Sequence, residues 1–159
     1  MAMTLRPPSR SSAKPLATLP ACSDLAMRIS FANTTITGAT AIAAGTLTVA
    51  GSPVAAHCRV TGRMFDRTST VDGRSYAIGF EMRLPNNWNG RYFYQANGGI
   101  DGSVGTASGS IGGGAALDNA LNKGFAVISS DAGHAGALGP SFGTDPQPGW
   151  TTATRRSAS

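Results

Sequence analysis

Two short stretches of this chain carry residue types whose spacing could do chemistry. The first is Gln95-Ala96-Asn97-Gly98-Gly99-Ile100-Asp101-Gly102-Ser103, a glycine-rich loop at the end of the strand expected over 91–96. Glycines let backbone N–H groups approach a ligand closely, because no Cβ stands in the way. Such N–H groups, aimed at the carbonyl oxygen of an ester, would stabilise the negative charge that develops there during acyl transfer. A phosphate cradle is the rival use, but neither G-x-G-x-x-G nor G-x-x-x-x-G-K-[ST] occurs. The bland alternative is a glycine-rich surface turn.

The second stretch, Ser130-Asp131-Ala132-Gly133-His134, sets an acid and an imidazole just past the apolar run 125–130. A Ser-His-Asp triad would also need an activated serine on a strained strand-to-helix turn. The glycine-flanked Ser110 has no apolar strand before it. Asp131 and His134 are therefore expected to order a loop through backbone hydrogen bonds rather than to transfer protons. Trp88, in the turn Trp88-Asn89-Gly90, is expected to pack under that turn with its indole N–H satisfied.

Cys22 and Cys58 are the only cysteines, and the two histidines lie far apart in sequence, so no four-ligand zinc site is expected. Two reduced thiols fit the sequence. So does one disulfide closing a loop of about 36 residues, worth about 3–4 kcal/mol by chain entropy.

The elements that must position these residues are mostly strands. Residues 34–49 mix β-branched residues with Ala and Gly, predicting short strands broken at Gly38 and Gly45. A strand is expected at 57–65 and a turn over 66–74 around Asp72-Gly73. Residues 76–84 alternate: Tyr76, Ile78, Phe80 and Met82 on one face, Ala77, Gly79, Glu81 and Arg83 on the other. That period of two predicts a half-buried strand ended by Pro85. A strand over 91–96, a short helix over 115–122 stopped by Gly124, and a strand over 125–130 complete the pattern. The continuous apolar run at 125–130 suits a strand covered on both faces of a parallel sheet. The order is antiparallel strands followed by a strand–loop–helix–strand crossover. In sheets of that kind ligands bind outside the carboxyl ends of the parallel strands, where both candidate loops fall.

Composition narrows the classes further. The chain has 159 residues, 13% of them charged and 21 of them glycine. It is too poor in charge for a coiled coil or charge-driven disorder. No apolar run reaches the roughly 20 residues of a membrane span. The formal charge of +5 comes from the ends: Arg6, Arg10 and Lys14 at one, Arg155 and Arg156 at the other. Residues 17–150 hold eight basic and eight acidic side chains and are neutral, so neither a nucleic acid nor a membrane is an expected partner. Residues 1–19, rich in proline and serine, are expected to be a flexible leader without the apolar stretch of a secretion signal.

Six segments occur together in register: Cys22; Ala55-Ala56-His57-Cys58-Arg59-Val60; Leu84-Pro85 with Trp88-Asn89-Gly90-Arg91; Asn97-Gly98-Gly99 with Asp101-Gly102; Gly124-Phe125-Ala126-Val127; and Asp131-Ala132-Gly133-His134. In that order and spacing the chain resembles the tannase/feruloyl esterase family over residues 20–147. The resemblance implies an α/β fold: the N-terminal part of an α/β-hydrolase sheet, cut before the nucleophile elbow and lid. It implies a serine-dependent carboxylic ester hydrolase acting on small esters of phenolic or aromatic acids, secreted or periplasmic. Gly98 and Gly99 would be oxyanion-hole donors, Asn97, Asp131 and His134 would belong to loops on the active-site face, and Cys22–Cys58 would be a disulfide.

The resemblance also places the nucleophilic serine, the catalytic Asp and His, and a calcium-binding lid beyond the last residue. The chain is thus expected to be an inactive fragment, with no cofactor or metal of its own. After Gln147 the family continues in the manner of Leu-Asp-Tyr-Gly-Tyr, whereas Gly149 to Ser157 read GWTTATRRS. Suitable codons read from another base give the family sequence, so residues 148–159 are expected to be a frameshifted tail. The competing expectation is a small secreted β-rich module that binds aromatic or sugar ligands. Against it, the last parallel strand of so partial a sheet would expose an apolar edge.

Overall fold

The computed structural model describes residues 20–98, 102–110 and 119–134. One short helix, α1 (Cys22–Arg28), precedes the strands β1 (Thr34–Ile42), β2 (Thr48–Val49), β3 (Ser52–Pro53), β4 (His57–Thr68), β5 (Ser75–Pro85), β6 (Tyr92–Gln95) and β7 (Ala126–Ser130). Five of them form one sheet in the order β1-β4-β5-β7-β6, and β2 and β3 pair as a separate small hairpin. Every pairing in the main sheet is antiparallel except β6 with β7, which is parallel from Tyr92↔Ala126 to Gln95↔Ser129.

The expected strands are present, with three corrections. Gly38 does not break β1. The strand runs through it, and the irregularity is taken up as a bulge between Ile36 and Gly38 against β4. The half-buried character expected for 76–84 fails at the strand's end, where Arg83 on the supposedly open face is 6% exposed. On that face Ala107 of the 102–110 loop donates its N–H to Glu81, and Arg83 is held between Glu81 and the buried His57. The exposed edge is not on the last parallel strand either. β7 lies inside the sheet between β5 and β6, and β6 takes the outer position with Tyr92 77% exposed. The helix expected at 115–122 falls largely outside the described residues; those described near its end, 120–124, are turns.

Period-two alternation divides the sheet into two faces. Cys58 and Val60 of β4, Met82 and Leu84 of β5 and Ala126 of β7 point to one face and pack with Leu25 of α1. Val127 of β7 points to the other and packs with Val54, Ala107, Ala120 and Leu121. β7 is buried along nearly its whole length, as its unbroken apolar run predicts.

α1 has only seven residues and no side-chain N-cap, too little to stand alone. It is held by the buried Leu25 and by the Cys22–Cys58 disulfide, with the two Cα atoms 5.4 Å apart. No helix of the described residues is long and apolar enough to cross a membrane.

Candidate active-site loops

The parallel pair β6 and β7 ends with both carboxyl termini on the same side, and each runs into one of the two candidate loops. The chain after β6 reaches Asn97, whose side chain reaches across to the end of β7. Its Nδ2 donates to the Ser130 carbonyl at 2.9 Å and the Ser129 hydroxyl at 3.0 Å, and lies 3.2 Å from the Ser103 carbonyl. Its Oδ1 accepts from Gln95 Nε2 at 3.2 Å and from the Ser129 hydroxyl at 3.2 Å. Asn97 therefore ties together the end of β7, the end of β6 and the returning loop. Gly98 follows, exposed and with φ +80°, a conformation that favours glycine. Gly99, the other candidate oxyanion donor, lies outside the described residues.

Gln95 fastens the same loop from below. Its Nε2 donates to the Thr106 carbonyl at 3.0 Å, and its Oε1 accepts the Gly109 N–H at 2.9 Å. A third anchor comes from β5, where Glu81 Oε1 accepts the Ala107 N–H at 3.0 Å. Glu81 is in turn paired with Arg83 at 2.7 Å, and Arg83 NH1 meets His57 Nε2 at 2.7 Å. Sequence patterning places Glu81 and Arg83 on one face but gives no sign of what covers them. Their partners, His57 and Ala107, are over twenty residues away in the chain.

Past β7, the Asp131 carboxylate accepts two backbone N–H groups through Oδ1, Gly133 at 2.9 Å and Gly79 of β5 at 3.0 Å. The Asp131 carbonyl accepts the Gly102 N–H at 3.3 Å. His134 is buried, its N–H directed at the same carbonyl at 3.5 Å. The carboxylate is thus occupied with backbone, in a turn where Ala132 and Gly133 both have positive φ. The Trp88 indole N–H donates to the Arg91 carbonyl at 2.7 Å while the ring packs on the α1-side core, which is the role expected of it.

Ser141, in Gly139-Pro140-Ser141-Phe142-Gly143, has the G-x-S-x-G spacing that Ser110 lacks. The residues ahead of it include Gly133 and Gly136 and hold no apolar run of strand length, the sequence signal that a nucleophile elbow follows. It lies outside the described residues. Among the described residues, no three His, Cys, Asp or Glu side chains cluster as a metal would require.

Comparison with known proteins places this arrangement. A family model described as tannase and feruloyl esterase matches residues 58–155, more than half of the chain, and its match extends into the segment set apart at 148–159. A mono(2-hydroxyethyl) terephthalate hydrolase from Piscinibacter sakaiensis is 40% identical over 108 residues, 63% of this chain and 18% of the relative. The structure resembles that of feruloyl esterase B from Aspergillus oryzae, with a TM-score of 0.56 and 26% identity over 76% of this chain and 23% of that one. It also shares its fold with another Aspergillus oryzae esterase, at a TM-score of 0.55 and 24% identity over the same shares. This chain therefore spans about a fifth of the length of these relatives. From the matched residues and the shared sheet, the chain belongs to the tannase and feruloyl esterase family.

Proposed function

We propose that this chain is the oxyanion-side portion of a serine-dependent carboxylic ester hydrolase acting on esters of phenolic or aromatic acids. The carrying observation is the Asn97 side chain, which holds the glycine loop at the carboxyl end of β6 against the end of β7. A loop fixed in this way can keep the N–H of Gly98 oriented before substrate arrives, which is the condition for oxyanion stabilisation, and Gly99 is the second candidate donor. Esters of aromatic acids are the substrate class suggested by the hydrolase from Piscinibacter sakaiensis and the feruloyl esterase from Aspergillus oryzae. Asp131 and His134 order the loop beside this site. The Cys22–Cys58 disulfide supports a secreted or periplasmic location, since disulfides persist in oxidising compartments.

The chain by itself is inactive in this reading. An oxyanion donor lowers the barrier by about 3–4 kcal/mol only when a nucleophile attacks, and the family's nucleophile is expected in the four-fifths of the relatives' length that this chain does not span. The purified chain should hydrolyse methyl ferulate and methyl gallate at the buffer rate, and clear turnover would refute the fragment reading. The nucleotide sequence downstream should encode Gly-Cys-Ser-x-Gly-Gly in one of its frames. Its absence from all of them would remove the serine mechanism.

A further inference from the structure

We propose that His57, Arg83 and Glu81 form a proton-sensitive latch on the 102–110 loop, closed when His57 is neutral and released when it is protonated. The latch is independent of the ester-hydrolase reading, because it follows from the donor and acceptor roles of three side chains.

Both ring nitrogens of His57 have fixed roles. Nδ1 lies 2.7 Å from the Ala55 carbonyl, which can only accept, so Nδ1 carries the proton. Nε2 lies 2.7 Å from Arg83 NH1, which can only donate, so Nε2 is bare. Arg83 spends its Nε on Glu81 Oε1 at 2.7 Å, and the same oxygen accepts the Ala107 N–H at 3.0 Å. The chain of bonds thus runs from the start of β4 through β5 to the loop that Asn97 and Gln95 fasten from its other side.

A further proton has only Nε2 to occupy. There it would set an N–H and a positive charge against the guanidinium, in a site where His57 is 2% exposed and water cannot screen the pair. Either the ring or Arg83 must then withdraw, and Arg83 is the group that positions Glu81 under Ala107.

The surrounding charges do not relieve the conflict. Glu81 is the acid facing this site, and it is already engaged by Arg83. Arg59, on the same strand as His57, adds positive charge, and the neighbouring strand β1 has no charged residue. Burial, in the first place, holds the His57 pKa below its ordinary value of 6.5; the Ala55 bond opposes this, and Arg83 adds to the lowering.

The direction with pH follows. The unfolded chain takes up the proton more readily than the folded one. The stability due to neutral His57 is therefore complete above pH 6.5 and is lost as pH falls from there to the lowered native value.

The test is NMR on the full chain, with the His57 ring assigned by its absence from H57Q or its survival in H134Q. At neutral pH the ring nitrogens should show the proton on Nδ1, and the ring should titrate below 6.5. As the ring protonates, the hydrogen-exchange protection factor of the Ala107 amide should fall on the order of tenfold. In H57Q the side-chain oxygen can still accept from Arg83 but cannot titrate, so Ala107 protection should not respond to pH over that range. A proton on Nε2, a ring pKa at or above 6.5, or Ala107 protection that stays flat while the ring titrates would each overturn the latch. If H57Q does not fold, the wild-type ring state and the wild-type Ala107 protection decide the matter.

Discussion

The Asp131 carboxylate fills the space beside Gly79 that any side chain there would need. Oδ1 accepts the Gly79 N–H at 3.0 Å, and a Cβ on Gly79 would stand 2.8 Å from Oδ2. Gly79 is in the middle of β5 and Asp131 is just past β7, so the contact locks the second candidate loop to the sheet's central pair. The absent side chain in the strand is what lets the loop close.

Gly79→Ala should therefore destabilise the chain by about 1–3 kcal/mol, as overpacking of a filled site does. Urea unfolding of the variant measures it. A change below about 0.5 kcal/mol, the usual range for surface positions, would show that the carboxylate moves aside freely.

Asn97 gives a sharper comparison, because its amide nitrogen serves oxygens that cannot all donate in return. The carbonyls of Ser103 and Ser130 accept only. Asn97→Ala should lose about 1 kcal/mol, and Asn97→Asp, which turns a donor into a charge facing two carbonyls, about 2–3 kcal/mol. The order matters more than the sizes. If Asp were as stable as Asn by chemical denaturation, the amide could not be the tie between the glycine loop and β7.

Reducing the Cys22–Cys58 disulfide, with 36 residues of separation, should cost about 4 kcal/mol by the chain-entropy relation. Because α1 is too short to persist without tertiary support, the loss should include its helical signal. Unfolding curves and far-ultraviolet circular dichroism, with and without reductant, test both parts. Unchanged curves would mean that Leu25 alone holds the helix in place.

At the far end of the β4–β5 hairpin, the Tyr76 hydroxyl donates to Asp72 Oδ2 at 2.6 Å and the Arg74 N–H to Oδ1 at 3.0 Å. The Tyr76 bond first, and then the Arg74 amide, holds the Asp72 carboxyl below its ordinary value of 3.8. Any stability from this turn is present above pH 3.8 and is lost as pH falls through the lowered native value. Tyr76→Phe should move the Asp72 titration back up toward 3.8, read from its carboxyl carbon by NMR. No movement would assign the lowering to the backbone amide instead.

Much of this architecture is legible in the sequence. The alternation from Tyr76 to Arg83 marked β5, the unbroken run at 125–130 marked β7, and the glycines after Gln95 marked the loop at the end of β6. These are local signals, since the pleat sets the direction of every second side chain and glycine sets what a turn can do. The α1 helix was not legible, because seven residues hold too few turns for a helical period to appear. Gly38 takes up a bulge inside β1, and in one dimension such a glycine looks like one that ends a strand.

The amino-acid sequence by itself determined the strands, the two loops, the neutral middle of the chain and the family resemblance, all of which depend on near neighbours or on the order of short motifs. Only the tertiary structure decided that β7 is inserted between β5 and β6, that Glu81 receives the Ala107 N–H of the 102–110 loop, and that His57 is the second partner of Arg83. Strand order and the cover over a sheet face arise from contacts across dozens of residues. A charged pair on an alternating strand looks the same in sequence whether its face meets water or a buried imidazole.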